Sequence, residues 1–448
     1  MTKNQRKMSG FVSVWLGQVS SLLGTSMTNF ALTIWVWSIT GEATALALVG
    51  FFTYIPSVLV SPFAGVLVDR WNRKWTMMLS DLAAGLSTMT VLLLFITGKL
   101  QVWHLYVTGA FSGAFQAFHY PAYSAAITML VPREHYGRAS GMLSMAHSGT
   151  SIFAPVVASI LLGVIGIEGI LSIDLFTLVL AIGVLLLVNV PQPMATEEGR
   201  ESRGGFGKEV VYGFRYIFDR PSLLALQLVY FSIFLVVGFA IAIMSPMILA
   251  RTGNDATVLG MVESAFGIGG VVGGIVLSTW GGPRRKVNGV FVGLILAMLG
   301  IVLMGLGRDP LVWAFSAFLM MFFVPILDGS DQAIWQSKVA PDVQGRVFGA
   351  RVLISDMSFP ISMLIGGPLA DRVFEPAMIA GGGLAGIFGG LVGIGRGAGM
   401  SLMFVFAGAL GILIGLIGFS LRVVRNVEEI LPDHKAKAEK PSSRGIGA

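Results

Sequence analysis

Residues 222–250 read SLLALQLVYFSIFLVVGFAIAIMSPMILA, a stretch of 29 residues without a charged side chain. The hydrocarbon core of a bilayer is about 30 Å thick, and one α-helix needs about 20 apolar residues to cross it. Similar stretches recur along most of the 448 residues, of which 54% are hydrophobic and 12% charged. They are too long for β-barrel strands, and in lipid the backbone must satisfy its own hydrogen bonds. The sequence therefore predicts an all-α membrane protein.

The apolar stretches predict twelve membrane-spanning helices, numbered here as spans 1 to 12 in chain order. A polar linker at 191–221 separates two predicted six-helix bundles, at 1–190 and 222–425. Within the linker, apolar residues recur at helical spacing from Phe206 to Phe218, which predicts an amphipathic helix on the membrane surface. The predicted spans are 11–38, 44–68, 75–98, 102–130, 137–164, 167–190, 222–250, 256–279, 286–306, 310–338, 344–372 and 398–424.

The distribution of lysine and arginine predicts the orientation, because basic residues are retained on the cytoplasmic side of a membrane. With a cytoplasmic N-terminus, 25 of the 30 basic residues flank the cytoplasmic ends of the spans. The even number of spans then places both termini in the cytoplasm. Residues 426–448, which are charged and rich in small polar residues, are predicted to form a disordered cytoplasmic tail. The five exceptions are Lys99, Arg251, Arg308, Arg372 and Arg396.

The two halves repeat at a constant offset of 209 residues. The offset carries Gln18 to Gln227, Gly65 to Gly274, His119 to Asp328 and Pro132 to Pro341. Two similar six-helix halves in parallel orientation are typical of transporters.

Several function classes are excluded by what the sequence lacks. Without cysteine there are no disulfides, zinc knuckles or thiol nucleophiles. No ATP-binding, zinc-protease or serine-hydrolase motif is present, so we expect no enzymatic activity, no cofactor and no metal. The net charge of +6 comes from basic residues scattered in short loops, which does not indicate nucleic-acid binding. Transport would then be driven by an ion gradient.

Residues 65–74 read GVLVDRWNRK and resemble the loop signature of the major facilitator superfamily, G-x-L-x-D-R-x-x-R-K, at every fixed position. The resemblance implies a conformational latch in which a glycine permits close helix contact and a carboxylate faces the N-terminal end of a neighbouring helix. Positive-inside retention alone would account for the basic residues. The second half carries Ser278 at the position of Asp69, so the latch is expected to be asymmetric. The latch residues are Gly65, Asp69, Arg70, Arg73 and Lys74.

Other phrases are similar to the macrolide-efflux branch of drug exporters in that superfamily, which lies near bacterial siderophore exporters. The resemblance implies the two-bundle fold, with spans 1, 4, 7 and 10 around a central cavity. It also implies a monomer in the bacterial inner membrane that exports drug-like or macrolide-like amphipathic compounds in exchange for protons. The alternatives are export of a siderophore or lipid-like metabolite and, from another class, a channel or a receptor. The phrases are Thr40–Ala47 (TGEATALA), Gln332–Val339 (QAIWQSKV), Gly366–Asp371 (GGPLAD) and Gly397–Met403 (GAGMSLM).

Polar residues on one face of span 1 predict a substrate cavity, because they recur at helical spacing. The equivalent face of span 7 and one residue of span 4 complete the set. The alternative is that these side chains only bond helices together, as small polar residues do in membranes. The cavity candidates are Gln18, Ser21, Thr25, Asn29, Gln116, Gln227, Tyr230 and Phe234.

Ionisable residues inside spans are costly, so each is a functional candidate. Asp328 and Asp331 share a face of span 10, and His119 occupies the equivalent depth in the other half. With Glu263 they are the candidates for proton coupling, because a carboxylate near an imidazole can exchange a proton during transport. Structural pairing near the cytoplasmic ends is the alternative, and Asp174 of span 6 is predicted to be structural.

Overall fold

The computed structural model describes residues 3–132, 135–188, 206–340 and 343–431, and the regular structure within these ranges is helical. The first half consists of span 1 (Lys3–Thr40), span 2 (Ala43–Arg70), span 3 (Arg73–Ile96), span 4 (Val102–Leu130) and the helix Tyr136–Leu187, which contains spans 5 and 6. The linker helix is Phe206–Phe218. The second half consists of span 7 (Pro221–Thr252), span 8 (Ala256–Trp280), span 9 (Lys286–Leu306), span 10 (Pro310–Phe322 and Val324–Lys338), span 11 (Gln344–Asp356 and Ser358–Leu369) and span 12 (Ala398–Ser420). Shorter helices are Ala370–Phe374 (a π-helix), Glu375–Met378, Ala385–Val392, Arg422–Arg425 and Val427–Ile430.

The all-helical fold with twelve spans is confirmed. In the described part of the chain, ten helices are long and apolar enough to cross a bilayer. One of the ten, Tyr136–Leu187, is two spans, because Gly166 has φ 67° and ψ −172° and reverses the chain between 136–165 and 167–187. Span 4 is not among the ten, although its 29 residues are enough to cross, because it carries many polar side chains.

Spans 10 and 11 are interrupted, and proline explains both interruptions. A proline ring clashes with the carbonyl four residues earlier and has no N–H to donate. Pro325 follows the break after Phe322, and Pro360 follows the break after Asp356. The segments Val324–Lys338 and Gln344–Asp356, which these breaks separate from the rest of their spans, carry the polar residues Asp328, Asp331 and Arg351.

The linker helix packs on the second half. A Cβ at Gly213 would overlap the carbonyl group of Arg346 in span 11, so the two backbones are in close contact. Ile217 is fully buried, while Val211 and Phe218 are exposed. The helix predicted in the linker is therefore present, and 189–205 lie outside the described residues.

The folded part extends beyond the predicted start of the tail at 426. The Glu428 carboxylate accepts hydrogen bonds of 3.1 Å from the backbone N–H groups of Lys286 and Val287, which begin span 9. The Lys338 ammonium donates to the carbonyls of Glu428 and Leu431 at 2.6 Å. These contacts hold 426–431 against the second half, and 432–448 lie outside the described residues.

The two halves contact each other at one end and diverge toward the other. We call the end that carries the 2–3, 4–5 and 8–9 connections the basic end. Gly260, Gly267 and Gly274 lie seven residues apart on one face of span 8, with Gly274 nearest the basic end. A Cβ at Gly260 would lie 2.8 Å from the Pro155 carbonyl oxygen, and one at Gly267 would lie 3.0 Å from Ser151 Oγ. A Cβ at Gly274 would meet no described heavy atom within 4 Å. Spans 5 and 8 therefore separate toward the basic end.

At the end opposite the basic end, the π-helix Ala370–Phe374, which directly follows span 11, caps span 2. Asp371 accepts hydrogen bonds from Ala43 N–H (3.0 Å), Thr44 N–H (2.7 Å) and Thr44 Oγ1 (2.5 Å). A carboxylate at a helix N-terminus satisfies free N–H groups and meets the positive end of the helix dipole. A Cβ at Gly367 would lie 2.5 Å from Thr44 Cα, so no side chain fits between the two helices there. The phrases 40–47 and 366–371 of the sequence therefore meet across the two halves.

Two adjacent glycines of span 8 offer a test of the packing. A Cβ at Gly273 would overlap the Phe322 carbonyl of span 10, whereas at Gly274 it would enter open space. Gly273→Ala should destabilise the protein by about 1–3 kcal/mol, because the backbones must move apart. Gly274→Ala should leave the melting temperature unchanged or raise it, since alanine favours a helix. Thermal unfolding in detergent measures both, and equal melting temperatures would contradict the packing.

Candidate functional site

A cavity of about 700 Å³ lies at the junction of the two halves. Most of its wall comes from the first half, and the second half contributes residues of spans 7 and 11. Span 10, which the family resemblance placed around the cavity with spans 1, 4 and 7, contributes no lining residue. The cavity has the size at which proteins bind drug-sized ligands.

The predicted polar face of span 1 lines this cavity. Thr25 Oγ1 donates to the Asp174 carboxylate at 3.0 Å, and Asn29 is exposed to the cavity. Asp174 is 1% exposed and also accepts from Thr88 Oγ1 at 3.0 Å, so it joins spans 1, 3 and 6. The predicted lining residues that the structure places on the cavity wall are Gln18, Ser21, Thr25, Asn29 and Gln116.

A hydrogen-bonded trio of side chains lies in the cavity wall between spans 1, 3 and 4. Gln18 Nε2 donates to Asp81 Oδ2 at 3.0 Å, and His119 Nε2 lies 3.2 Å from Asp81 Oδ1. The same His119 nitrogen lies 3.0 Å from Gln18 Oε1. Asp81 was not among the predicted site residues, although its position within predicted span 3 was a signal that could have found it.

The predicted cavity residues of span 7 have other neighbours and do not line this cavity. Gln227 is 1% exposed, and its Nε2 donates to Ser355 Oγ at 3.0 Å. Tyr230 is buried and donates its hydroxyl to Asp328. Phe234 stacks on Tyr230 with ring centroids 4.9 Å apart. These residues form the interior of the second half.

An aromatic row connects this interior to the cavity. Phe234 meets Phe359 edge to face, with centroids 5.7 Å apart. Phe359 lies 5.7 Å from the ring of Tyr54, which lines the cavity from span 2. The row therefore crosses from span 7 through span 11 to the first half.

The acids of span 10 belong to a cluster with an arginine. Asp331 is fully buried and forms an ion pair with Arg351 of span 11, whose Nη1 also donates to Gln332 Oε1 at 2.7 Å. Arg351 is 9% exposed, whereas the sequence placed it among the basic residues of the cytoplasmic ends. The structure brings Asp331 and Asp328 into this cluster and does not bring either of them to His119.

Glu263 of span 8 lies behind the cavity wall. Its Oε1 accepts a hydrogen bond from Ser245 Oγ at 3.2 Å, and Ser245 lines the cavity from span 7. The Ser245 side chain therefore lies between Glu263 and the cavity.

The predicted latch is only partly within the described side chains. Lys74 Nζ donates to the carbonyls of Leu186 and Val188 at 2.9 and 3.0 Å, which end span 6 in the same half. A cation at a helix C-terminus is stabilised by free carbonyls and the helix dipole. Arg73 begins span 3. The surroundings of Gly65 and the side chains of Asp69 and Arg70 lie outside the described part of the structure.

Comparison with known proteins identifies the family. The sequence profile of the Major Facilitator Superfamily matches residues 14–363. Macrolide efflux protein A of Streptococcus pyogenes is 27% identical over 370 residues, which cover 81% of this chain and 90% of that protein. Multidrug efflux pump Tap of Mycolicibacterium fortuitum is 25% identical over 78% of this chain and 86% of that protein.

A solved structure shares the fold at low identity. A bacterial homologue of the human lysosomal transporter Spinster superposes with a TM-score of 0.67 at 16% identity, covering 98% of this chain and 100% of that one. The match to the family profile covers more than three quarters of the chain and agrees with the twelve-span fold and the loop signature at 65–74. The chain therefore belongs to the Major Facilitator Superfamily and is a multi-pass membrane transport protein.

Proposed function

We propose that this protein exports hydrophobic or amphipathic small molecules, of the size and character of drugs and macrolides, by alternating access. The observation that carries the proposal is the cavity of about 700 Å³ at the junction of two halves that are in contact at one end. Its wall combines apolar side chains with many hydroxyl and amide groups, which suits an amphipathic ligand. The names of the two relatives, a macrolide efflux protein and a multidrug efflux pump, support this cargo.

The position of the basic end determines the orientation that we propose for the protein in the membrane. If that end faces the cytoplasm, as the retention of lysine and arginine predicts, both termini are cytoplasmic and the halves diverge toward the cytoplasm. An exporter in the bacterial inner membrane would load its substrate in this state. The latch loop lies at the same end and would close it in the other state.

Release would require the contact at the opposite end to separate. Asp371 is the main polar link there, since its carboxylate holds the first turn of span 2 with three hydrogen bonds. This contact joins the two halves and can be broken without disturbing either bundle. We assign to it the stabilisation of the state that is open at the basic end.

We propose that the exchange of substrate for protons drives transport. We also propose that the protein works as a monomer. Asp331 is buried against Arg351, so protonation of Asp331 would weaken an ion pair between spans 10 and 11. Asp328, Glu263 and His119 are the other candidates, and of the four only His119 lines the cavity.

The alternative functions fit the cavity less well. A siderophore or another anionic compound would need cationic contacts, and the described residues that line the cavity include no lysine or arginine. A channel would need a continuous path, whereas the close contacts at Gly367 and Gly260 close one end. Neutral lipid-like metabolites fit the wall as well as drugs do.

Transport by the purified protein tests the proposal. In proteoliposomes, efflux of macrolides and amphipathic dyes should saturate with substrate concentration and should increase when a pH gradient is imposed. Saturation is expected because each transport cycle moves only the substrate that the cavity holds, so the rate reaches a maximum once the cavity is always occupied. Linear, unsaturable leakage would indicate a channel, and the absence of movement for every compound, with folded protein, would contradict drug export.

The role of Asp371 can be tested by the distance between the halves at the opposite end. The chain has no cysteine, so Lys99→Cys and Ala380→Cys provide the only labelling sites for two spin labels. Asp371→Asn removes a charge-assisted contact of about 1–3 kcal/mol, so the population with a longer label distance should rise about fivefold or more.

A matched control lies at the same end of the molecule. Asp255 also caps a helix, accepting from Thr257 N–H at 2.8 Å and Val258 N–H at 3.2 Å, but it lies within the second half. Asp255→Asn should therefore leave the distance distribution unchanged. The same distribution in Asp371→Asn and the unsubstituted labelled protein would exclude the proposed role of Asp371.

Variants of Asp331 and Arg351 distinguish a structural role of this ion pair from a role in proton coupling. Asp331→Asn leaves a buried guanidinium without its counter-charge and should cost about 3–5 kcal/mol of stability. Asp331→Asn with Arg351→Met should recover much of that stability, because no charge is then left unpaired. If the double variant, once shown to be stable, still concentrates substrate in response to a pH gradient, Asp331 is not the coupling group.

A further inference from the structure

The described residues that line the cavity carry one carboxylate, Asp81. The described lining also carries two imidazoles, His119 and His147, and no lysine or arginine. A single charge in a wall of low dielectric constant acts more strongly than the same charge in water. The cavity is therefore electrostatically selective for a cation.

Hydrogen bonds hold Asp81 with its charge toward the cavity. The side chain is 8% exposed, and the Gln18 amide and the His119 imidazole each contact one carboxylate oxygen. Both donors can be neutral, so the trio can carry a net charge of −1. A buried charge without a counter-ion is costly, and a bound cation would remove that cost.

The neighbours of His119 determine where its protons lie. Nε2 faces two acceptors, Asp81 Oδ1 at 3.2 Å and Gln18 Oε1 at 3.0 Å. The network therefore assigns the hydrogen of the neutral ring to Nε2 and leaves Nδ1 to take a second proton. Protonated His119 would neutralise Asp81 and bring the net charge of the trio to zero.

We propose that Asp81 binds the positively charged group of a monocationic amphiphile, and that a proton on His119 competes with this cation for the same carboxylate. The inference rests on the proposed export function and names the substrate class of that cavity. A cation would bind from the cytoplasm while His119 is neutral. A proton taken up at Nδ1 after the opposite end opens would then displace it, exchanging one charge for one charge.

Other ionisable groups lie on the neighbouring spans. His147 of span 5 lines the same cavity, whereas Asp174 of span 6 is held by Thr25 and Thr88 and does not line it. Span 4 presents Tyr123, whose ring centroid lies 6.1 Å from that of His119. The Tyr123 hydroxyl is buried and has no hydrogen-bond partner among the described residues, so it is a second polar group at the wall that a ligand could satisfy.

Binding of tetraphenylphosphonium to the full-length protein in detergent tests the inference, because this cation has no titratable group. Its affinity should be lower at about pH 5.5 than at about pH 8, because an imidazole takes up a proton as the pH falls. Asp81→Asn should weaken cation binding about tenfold or more and remove the pH dependence, since the counter-charge is gone. Binding of triphenylphosphine oxide, an uncharged ligand of similar shape, should be unchanged.

Two further variants identify the roles of the groups. His119→Gln should keep cation binding and lose its pH dependence, because the amide can donate to Asp81 but cannot take up a proton. Asp174→Asn is the matched control, since it changes a buried carboxylate of the same half that does not line the cavity. It should bind the cation as the unsubstituted protein does.

The outcomes separate this inference from the proposed function. If the protein binds the uncharged ligand but no cation, or if Asp81→Asn binds the cation with full affinity, the substrate class is wrong while amphiphile export stands. If cation binding by His119→Gln still depends on pH, competition between the cation and a proton on the His119 ring is excluded. If neither ligand binds to folded protein, the export function itself is contradicted. Asp81→Glu keeps the charge and should retain the preference for the cation. It provides a second test of the charge at this position in case Asp81→Asn does not fold.

Discussion

The hydrocarbon core offers no hydrogen bonds to the backbone, and this constraint determines the rest of the structure. Each span must be a helix whose N–H and C=O groups bond within the helix. Lipid is as apolar as the side chains, so close packing and polar contacts hold the helices together. Glycine makes close packing possible: at Gly273 and Gly367 the neighbouring backbone occupies the space that a side chain would need.

The same constraint requires a partner for each acid inside the bundle. In the first half, Asp81 and Asp174 are held by uncharged amide and hydroxyl donors, with the histidine able to change its charge. In the second half, Asp331 is neutralised by a guanidinium. The two halves repeat in sequence at one offset, yet Asp81 of the first half lines the cavity, whereas Asp331 of the second half is paired with an arginine in its own interior.

Contacts between the halves differ from contacts within them. At the end opposite the basic end they include small residues in close approach and one carboxylate on a helix N-terminus. Large side chains also take part, since Phe30 and Trp37 of span 1 belong to the same buried cluster as Ile243 of span 7. Within each half, large buried side chains, such as Phe11 in the first and Trp335 in the second, fill the space between the helices.

Hydrophobic length determined much of the fold directly. The predicted bounds of spans 4 and 9 agree with the structure to the residue, because a span begins and ends where the apolar stretch does. The polar face of span 1 was also predictable, since helical spacing alone places Gln18 and Thr25 on one side. The offset of 209 residues predicts that His119 and Asp328 occupy equivalent depths in the two halves.

Tertiary structure alone decided which side chains meet. Asp81 is an isolated acid in the sequence, and only the packing of spans 1, 3 and 4 gives it Gln18 and His119 as partners. Arg351 looks like one more basic residue near a span end, and only the rotation of span 11 against span 10 turns it toward Asp331. The physical reason is that hydropathy fixes the length and depth of a helix in the membrane, whereas its rotation about its own axis depends on the shapes of neighbouring helices.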